Sequence, residues 1–273
     1  ALLFAAVPWV ASSAWAKAKI EAAANRVLAP GGGSFDAVRL SWFRPTAITA
    51  PALLDSSGRK LVEAPTGTFS WSLWQILFAR PVVGTLTLHK GAVDIGRSTE
   101  GDIDLIDTLK PILKDRPDHT IQIRIEDATL KFTQQGVADP FYADHADIAI
   151  DLTRFPEPIA WDLKLSRDRE GSAAGKLNIA GSLGRVEAGV SPMKNAALAV
   201  TADQWPWRIA PTFGELEGLR TSGRLSGSID LKVVDGALTT SGDATFDGFT
   251  AEGPKLSGDV IVQTPLKLGW KAE

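Results

Sequence analysis

Apolar and polar residues alternate along most of the chain after residue 33. A period of two puts every second side chain on the same face of a β-strand, so the alternation predicts strands with one apolar and one polar face. We call the clearest of these apolar positions the apolar stripe: Val38, Leu40, Trp42, Leu86, Leu88, Ile121, Ile123, Ile125, Leu130, Phe132, Ile148, Ile150, Leu152, Trp161, Leu163 and Leu165. Later runs of the same kind are Leu177 and Ile179, Leu198 and Val200, Ile229, Leu231 and Val233, and Val260 and Val262.

Short turn signals separate the predicted strands. They are Ser57-Gly58, Asp235-Gly236, Asp247-Gly248 and Glu252-Gly253. Such dipeptides supply the positive φ angles that tight hairpins require. Turns at this spacing predict an antiparallel meander without βαβ units.

Helical signals are few beyond residue 33. Residues 72–79 (SLWQILFA) form a short apolar segment, and Leu105, Ile106, Leu109, Ile112 and Leu113 recur at helical spacing. A third helical or irregular stretch is expected near 204–219, where Pro206 and Pro211 interrupt it. These segments are expected to cap an end of the sheet or line its opening.

The first 16 residues carry no charge, and a helix-favouring segment, 17–28, follows them. A spanning helix needs about 20 apolar residues, so residues 1–16 suit the C-terminal part of a membrane anchor. Two alternatives stay open. Ala14-Trp15-Ala16 also fits the small-residue pattern before a signal-peptide cleavage site, and a buried helix of a soluble protein fits as well. Pro30 and Gly31-Gly32-Gly33 end the helical region, which gives a linker over 17–33 and a β domain over 34–273.

The apolar face of so many strands must meet something apolar. Three arrangements satisfy it: a second sheet, closure into a barrel, or a curled trough that holds lipid chains. The periodicity does not choose among them. The polar faces are rich in Asp, Lys, Arg, Ser and Thr, which is typical of a surface in contact with water.

Composition excludes several classes of function. The chain of 273 residues has 29 basic and 32 acidic residues and a formal net charge of −3. Nucleic-acid binding needs a concentrated basic surface, and no run of Lys and Arg provides one. The absence of cysteine removes disulfides, thiolate metal sites and cysteine nucleophiles.

Candidate chemistry is sparse. Asp102, Asp104 and Asp107 lack the Gly and further ligands of a calcium loop, and Asp144, His145 and Asp147 are interpreted as a solvated turn. His89 has no Ser or acid at a spacing that suggests a triad. Residues 181–184 (GSLG) and Gly31-Gly32-Gly33 do not open a helix as a phosphate loop must, so they are interpreted as turns. Trp71, Trp74, Trp205 and Trp207 are expected to pack in the core.

The chain resembles the N-terminal region of AsmA-like proteins, the group that includes TamB-type proteins. The resemblance rests on the order of an apolar N-terminal segment, a short helix and four segments: 34–65 (SFDAVRLSWFRPTAITAPALLDSSGRKLVEAP), 71–95 (WSLWQILFARPVVGTLTLHKGAVDI), 100–113 (EGDIDLIDTLKPIL) and 223–233 (GRLSGSIDLKV). It implies a single-pass inner-membrane anchor, a periplasmic β-rich trough, and a part in phospholipid movement or outer-membrane assembly.

These observations together lead to one expectation of fold and function. The fold is all-β with a few short helices, a long antiparallel meander curled into an open, β-taco-like trough, preceded by an N-terminal membrane helix. The function is non-enzymatic handling of phospholipid by the apolar stripe, without metal or cofactor. An alternative is an envelope-assembly factor that binds client protein strands at an open sheet edge. An envelope hydrolase is a third, weaker hypothesis.

Overall fold

The computed structural model describes residues 2–79, 83–98, 103–105, 107–109, 120–135, 141–151, 159–167, 175–183, 195–207, 220–252, 261–263 and 265–272. Most of these residues lie in strands and a minority in short helices, as the alternation predicts. The chain divides into two compact units. Unit 1 comprises residues 1–135 and 146–155, and unit 2 comprises residues 136–145 and 156–273.

Two helices begin unit 1: α1 (Leu2–Ala11) and α2 (Ala14–Leu28). They are separate because Ser13 is the N-cap of α2 and its hydroxyl accepts a hydrogen bond from the Ala16 N–H at 3.4 Å. Among the described residues, no helix is long and apolar enough to cross a membrane.

Helix α2 lies beside the outermost strands of unit 1, β1 (Gly32–Ser34) and β2 (Ala37–Arg39). Two of its side chains accept backbone N–H groups there: Asn25 Oδ1 from Gly33 at 2.6 Å and Glu21 Oε1 from Phe35 at 3.2 Å. Side chains of α2 thus accept hydrogen bonds from backbone N–H groups that would otherwise be free to pair with another strand. This protects the edge of the sheet.

The remaining strands of unit 1 are β3 (Thr46–Thr49), β4 (Ala52–Leu54), β5 (Lys60–Glu63), β6 (Thr66–Phe69), β7 (Val83–His89), β8 (Ala92–Arg97) and β9 (Thr120–Gln134). They pair in two series, β2-β3-β6-β7-β9 and β1-β4-β5-β8-β9. The series are two halves of the same extended strands, because β7 and β8 keep one register against β9 (Val83 opposite Thr120, Ala92 opposite Thr129).

A line of kinks separates the two halves. It passes through Ala50–Pro51, Ala64–Pro65, Lys90–Gly91 and Asp127–Ala128, and Ala50, Lys90 and Asp127 have φ angles of 49°, 54° and 55°. Hydrogen bonds continue across the line, since Ala50 donates to the Pro65 carbonyl and Ala64 to the Pro51 carbonyl, each at 3.0 Å. Each kink also moves the apolar positions by one residue, as a β-bulge does.

The core of unit 1 lies along both sides of this line. One cross-strand row contains Val38, Ile48, Gly67, Leu88 and Ile125, and the row beyond the kinks contains Leu53, Val62, Val93 and Leu130. Most of these residues are buried, as is Ala128 at the kink itself. Small residues at the line let the two halves approach each other.

One expectation about unit 1 is wrong. Strands β7 and β8 run parallel to β9, so unit 1 is not a pure antiparallel meander. Parallel strands need a longer connection than a hairpin, and the described residues between β8 and β9 include helical residues at 104–105 and 107–109. The apolar positions at Ile121 and Leu130 belong to one kinked strand, β9.

The strands of unit 2 form the expected antiparallel meander. They are β11 (Ile159–Arg167), β12 (Gly175–Leu183), β13 (Ala196–Trp207), β14 (Arg220–Val234), β15 (Ala237–Glu252), β16 (Ile261–Gln263) and β17 (Leu266–Ala272). Each strand from β11 to β14 pairs with the next, and β15 also pairs with both β16 and β17. Strand β10 (Phe141–Asp151) has residues in both units.

The predicted turns and irregular segments have mixed outcomes. Asp235-Gly236 connects β14 and β15 with φ angles of 51° and 87°, as a type I′ hairpin requires. Asp247-Gly248 is instead a bulge inside β15, where the register against β14 shifts. Residues 204–207 are strand rather than helix, and 208–219 lie outside the described residues.

Candidate functional site

The apolar stripe divides into buried and half-buried members. Val38, Leu88, Ile125, Leu130 and Leu165 are buried and belong to the cores. The other described members are half-buried: Leu40, Trp42, Leu86, Ile121, Ile123, Phe132, Ile148, Ile150, Trp161 and Leu163. Leu152 lies outside the described residues.

In unit 2 the stripe continues into a broader surface. Leu163, Ile179, Val200 and Ile229 lie directly opposite one another on β11, β12, β13 and β14. Directly opposed residues of antiparallel strands point to the same side of the sheet. The register therefore joins the apolar positions of successive strands into rows on a single face.

We call this surface the apolar face of unit 2 and define it by three neighbouring rows. Its members are Trp161, Leu163, Ile179, Leu198, Val200, Ile229, Leu231, Val233, Leu238 and Trp270. Most are half-buried, and Leu238 and Trp270 are exposed. Apolar residues in a covered core are usually buried more completely, so this part of the face retains contact with solvent.

The opposite face of the same strands is polar and exposed. It carries Lys164, Lys176, Asn178, Thr201, Asp203, Asp230, Lys232, Ser241 and Asp243. Neighbouring residues such as Val200 and Thr201 therefore differ in both chemistry and burial. This confirms the predicted separation of an apolar from a polar face.

One end of the apolar face is closed by packing. Leu225, Ala244 and Phe246 form a buried cluster, against which Ala202, Phe249 and Leu266 pack. The rings of Phe246 and Phe249 meet edge-on with centroids 5.7 Å apart. Trp205, opposite Leu225, is also buried, as expected for a core tryptophan. The half-buried rows thus begin where a closed core ends.

Glycines make room for two indole rings on this face. Trp161 lies opposite Gly181, where an added Cβ would overlap its ring, and Trp270 lies opposite Gly242 in the same way. Trp270 also donates from Nε1 to Thr240 Oγ1 at 3.2 Å. Each ring lies flat across a neighbouring glycine, as in the rescue of a strand glycine by an aromatic partner.

The apolar stripe extends into the later apolar runs of the chain. Ile179, Val200, Ile229 and Leu231 continue it with the same alternation, which was visible along the chain. The alternation is a weaker indication for Trp270, because this residue follows a glycine in a short run with lysines on either side. Its position opposite Gly242 comes from strand pairing.

The polar candidates His89, Asp104 and Asp147 belong to unit 1. His89 Nδ1 is 3.0 Å from Glu126 Oε2, on partly exposed side chains. Asp104 accepts the Gly96 N–H at 2.9 Å and pairs with Arg59, and Asp147 accepts the Asp127 N–H at 3.0 Å. Asp102 lies outside the described residues. Within the described part of the chain, no group of three or more acidic, histidine or cysteine side chains could hold a metal ion.

Three smaller expectations need correction. Gly181–Leu183 lie in β12, and Gly32 and Gly33 lie in β1, so these glycines are not turns. Trp74 is exposed rather than packed in the core. The side chain of Trp207 lies outside the described part of the structure.

No protein-family model matches the chain, and no curated protein matches it at a significant level.

Proposed function

We propose that this is a non-enzymatic, membrane-anchored periplasmic protein that moves phospholipid between the inner and outer membranes along an apolar β-groove. The anchor would be the uncharged segment 1–16, and the groove an open trough to which the apolar face of unit 2 contributes. The resemblance to AsmA-like proteins supports this proposal. The support from the fold is coarser: a β-rich chain whose strands separate apolar from polar residues.

The observation that carries the proposal is the incomplete burial of the apolar face of unit 2. Leu163, Ile179, Val200 and Ile229 form a continuous row of branched apolar side chains, and none of them is fully buried. A row of this kind without a complete cover favours an apolar ligand.

Acyl chains suit this surface energetically. Removing a methylene group from water contributes about 0.8 kcal/mol, so a chain lying across several strands gains from every segment in contact. The face presents no charged side chain along the row from Leu163 to Ile229, which would otherwise lose hydration under a lipid tail. A polar headgroup would stay in water.

The test is a matched pair of substitutions on β13. Val200→Asp places a carboxylate on the apolar face, and Thr201→Asp places one on the polar face next to it. Purified full-length protein is examined by native mass spectrometry for bound phospholipid and by thermal unfolding. We expect Val200→Asp to lose most of the bound phospholipid while its melting temperature stays near that of the parent protein, because water already reaches this position.

Two results would count against the proposal. A folded Val200→Asp protein with normal lipid content would remove this face from the lipid path. Absence of phospholipid from the parent protein would do the same. Thr201→Asp should change neither lipid content nor melting temperature. This control shows that an added negative charge alone does not cause the loss of lipid.

One observation favours the alternative of an assembly factor. Strand β17 pairs with β15 along one side, no described strand pairs with its other side, and Leu268 and Trp270 are exposed. A client strand could add there through backbone hydrogen bonds. This alternative expects the parent protein to carry peptide rather than phospholipid, so the same mass spectrum separates the two functions.

A further inference from the structure

A cluster of exposed apolar side chains projects from unit 1. We call it the aromatic patch: Phe43, Trp74, Ile76, Leu77 and Phe78. Phe43 is 75% exposed and Phe78 60%. The ring centroids of Phe43 and Trp74 are 6.2 Å apart, and those of Trp74 and Phe78 are 4.5 Å apart. The three rings thus lie next to one another, and every residue of the patch is at least 40% exposed.

The patch is held in this position by its own backbone. Ser72 and Gln75 cap each other, since the Ser72 N–H donates to Gln75 Oε1 at 2.8 Å and the Gln75 N–H donates to Ser72 Oγ at 3.3 Å. A π-helical turn follows at Gln75–Ala79. Leu73 is buried beneath the turn. The exposed side chains are therefore presented by a hydrogen-bonded turn above a buried leucine.

The patch is connected to the uncharged N-terminal segment. The Trp74 N–H donates to the Trp42 carbonyl at 3.2 Å, and two residues earlier the Leu40 N–H donates to Ser12 Oγ at 2.9 Å. Ser12 follows α1, where Trp9 is 84% exposed, and Trp15 near the start of α2 is exposed too. Exposed tryptophans thus occur on both sides of the short segment 40–43.

The two segments that form the patch carry charge of one sign. Segments 41–45 and 71–79 contain Arg44 and no acidic residue. Exposed Trp and Phe beside an arginine suit the interfacial zone of a bilayer, where aromatic rings sit at headgroup depth and cations meet anionic lipids. A folded protein partner would instead be expected to face a more mixed polar rim.

From these observations we propose that the aromatic patch is a membrane-docking surface that inserts into the interfacial zone of an anionic phospholipid bilayer. The patch lies in unit 1 and acts independently of any lipid on the apolar face of unit 2. It would hold unit 1 against the bilayer and fix its orientation there, which a flexible tether alone does not do.

The test uses the absence of native cysteine. Leu77→Cys and Ser56→Cys are each made in the full chain and labelled with an environment-sensitive fluorophore. Ser56 is exposed in the turn between β4 and β5. Strands β3 and β4 pair with β6 and β5, so this turn lies at one end of the paired strands and Trp71 follows β6 at the other end. With vesicles of phosphatidylethanolamine and phosphatidylglycerol that carry a lipid quencher, we expect the probe at position 77 to shift to the blue and be quenched. The probe at position 56 should not respond.

Two further variants are made with the probe at position 77. Phe43→Asp with Phe78→Asp should raise the vesicle concentration for half-maximal quenching at least about tenfold, because two exposed rings no longer enter the bilayer. Arg44→Gln should raise it about fivefold with anionic vesicles and leave it unchanged with neutral ones.

Three results would overturn the proposal. They are an unquenched probe at position 77 on vesicles that bind the protein, equal quenching at positions 77 and 56, and a blue shift that grows with protein concentration without vesicles. The last would identify a second copy of the chain as the occupant. The lipid content of purified protein is not involved, so failure here is distinguishable from failure of the transport proposal.

Discussion

Asp55 organises the turn between β4 and β5. Its carboxylate accepts hydrogen bonds from the Ser57 hydroxyl at 2.6 Å, the Ser57 N–H at 2.8 Å and the Arg59 N–H at 3.0 Å, while Gly58 adopts a φ of 84°. The hydrogen bond from the Ser57 hydroxyl, with the backbone N–H groups and Arg59, lowers the pKa of Asp55 from 3.8 to about 2. The ionised form is thus the one that the folded turn prefers.

This shift predicts a pH dependence with a definite sign. A carboxyl group whose pKa is lower in the folded state stabilises the fold above its unfolded pKa, and this contribution is lost as pH falls from about 4 towards 2. We expect Asp55→Ala to lower the free energy of unfolding by about 1 kcal/mol at pH 7. Thermal unfolding followed from pH 7 to pH 2 should show the two proteins converging below pH 4. A gap that stays constant, or one shared by Ser56→Ala, would contradict this role.

Single residues also account for part of the unusual tryptophan content of nine residues. Trp161 and Trp270 each cover a glycine on the neighbouring strand, and Trp71 lies near Gly84 and donates from Nε1 to the Val83 carbonyl at 2.8 Å. In the pairs Trp161–Gly181 and Trp270–Gly242, a large ring on one strand requires the smallest residue on the next. The tryptophan and the glycine of each pair are neighbours in space but far apart in the sequence.

At the scale of elements, the line of kinks determines the architecture of unit 1. Each extended strand changes direction at the same point, so one sheet supplies buried residues from both of its halves. Positive φ at Ala50, Lys90 and Asp127 is the local cost of this arrangement, because L-residues are strained there. Hydrogen bonds across the line, such as Thr129 N–H to the Gly91 carbonyl at 2.8 Å, hold the kinks in place.

Lys90 offers a direct test of that strain, since its side chain is exposed and its φ is 54°. Lys90→Gly removes the Cβ and should match or raise stability by up to about 1 kcal/mol. Lys90→Val adds β-branching at positive φ and should lower stability by about 1–2 kcal/mol. Chemical denaturation of both variants measures the difference. Equal stability of the two would mean that the kink is not imposed on this residue.

At the scale of the whole molecule, the two units bury their apolar residues to different extents. Unit 1 buries most of both rows beside its kinks, and Leu61 and Val93 are almost completely inaccessible. In the described part of unit 2, Leu225, Ala244 and Phe246 form a compact buried cluster, and the rows of the apolar face are half-buried or exposed. Stability of unit 1 should therefore depend on a dry core, and unit 2 should tolerate polar substitutions along its half-buried rows.

Strand β9 allows that contrast to be examined inside unit 1. Ile125 is 5% exposed and Ile123 is half-buried, and the exposed Arg124 lies between them. Ile125→Asp buries an unpaired carboxylate and should lower the free energy of unfolding by roughly 3 kcal/mol or more, with about 1 kcal/mol for Ile123→Asp. Arg124→Asp serves as the control and should have little effect. If Ile125→Asp and Ile123→Asp cost the same in denaturant titrations, the row containing Ile125 is not a closed core.

Alternation along the chain was sufficient to predict most strands, their polar and apolar faces and the hairpin at Asp235-Gly236. Those properties depend on side chains one or two residues apart. The apolar positions also change parity between Ile125 and Leu130, which marks the kink at Asp127-Ala128. The repeated alternation at Ile179, Val200 and Ile229 likewise pointed to the broader apolar face.

Only the tertiary structure decided which apolar residues are core and which stay accessible. Ile123 and Ile125 have the same chemistry and period, and they differ because of the neighbours that pairing brings: Ile125 lies opposite Leu88 in the buried row, and Ile123 lies opposite Leu86 outside it. The parallel pairing of β7 with β9, the exposure of Trp74 above a buried Leu73, and the covering of the sheet edge by Asn25 and Glu21 are likewise long-range outcomes. Local sequence determines which way a side chain points along a strand, but burial depends on what the rest of the chain places over it.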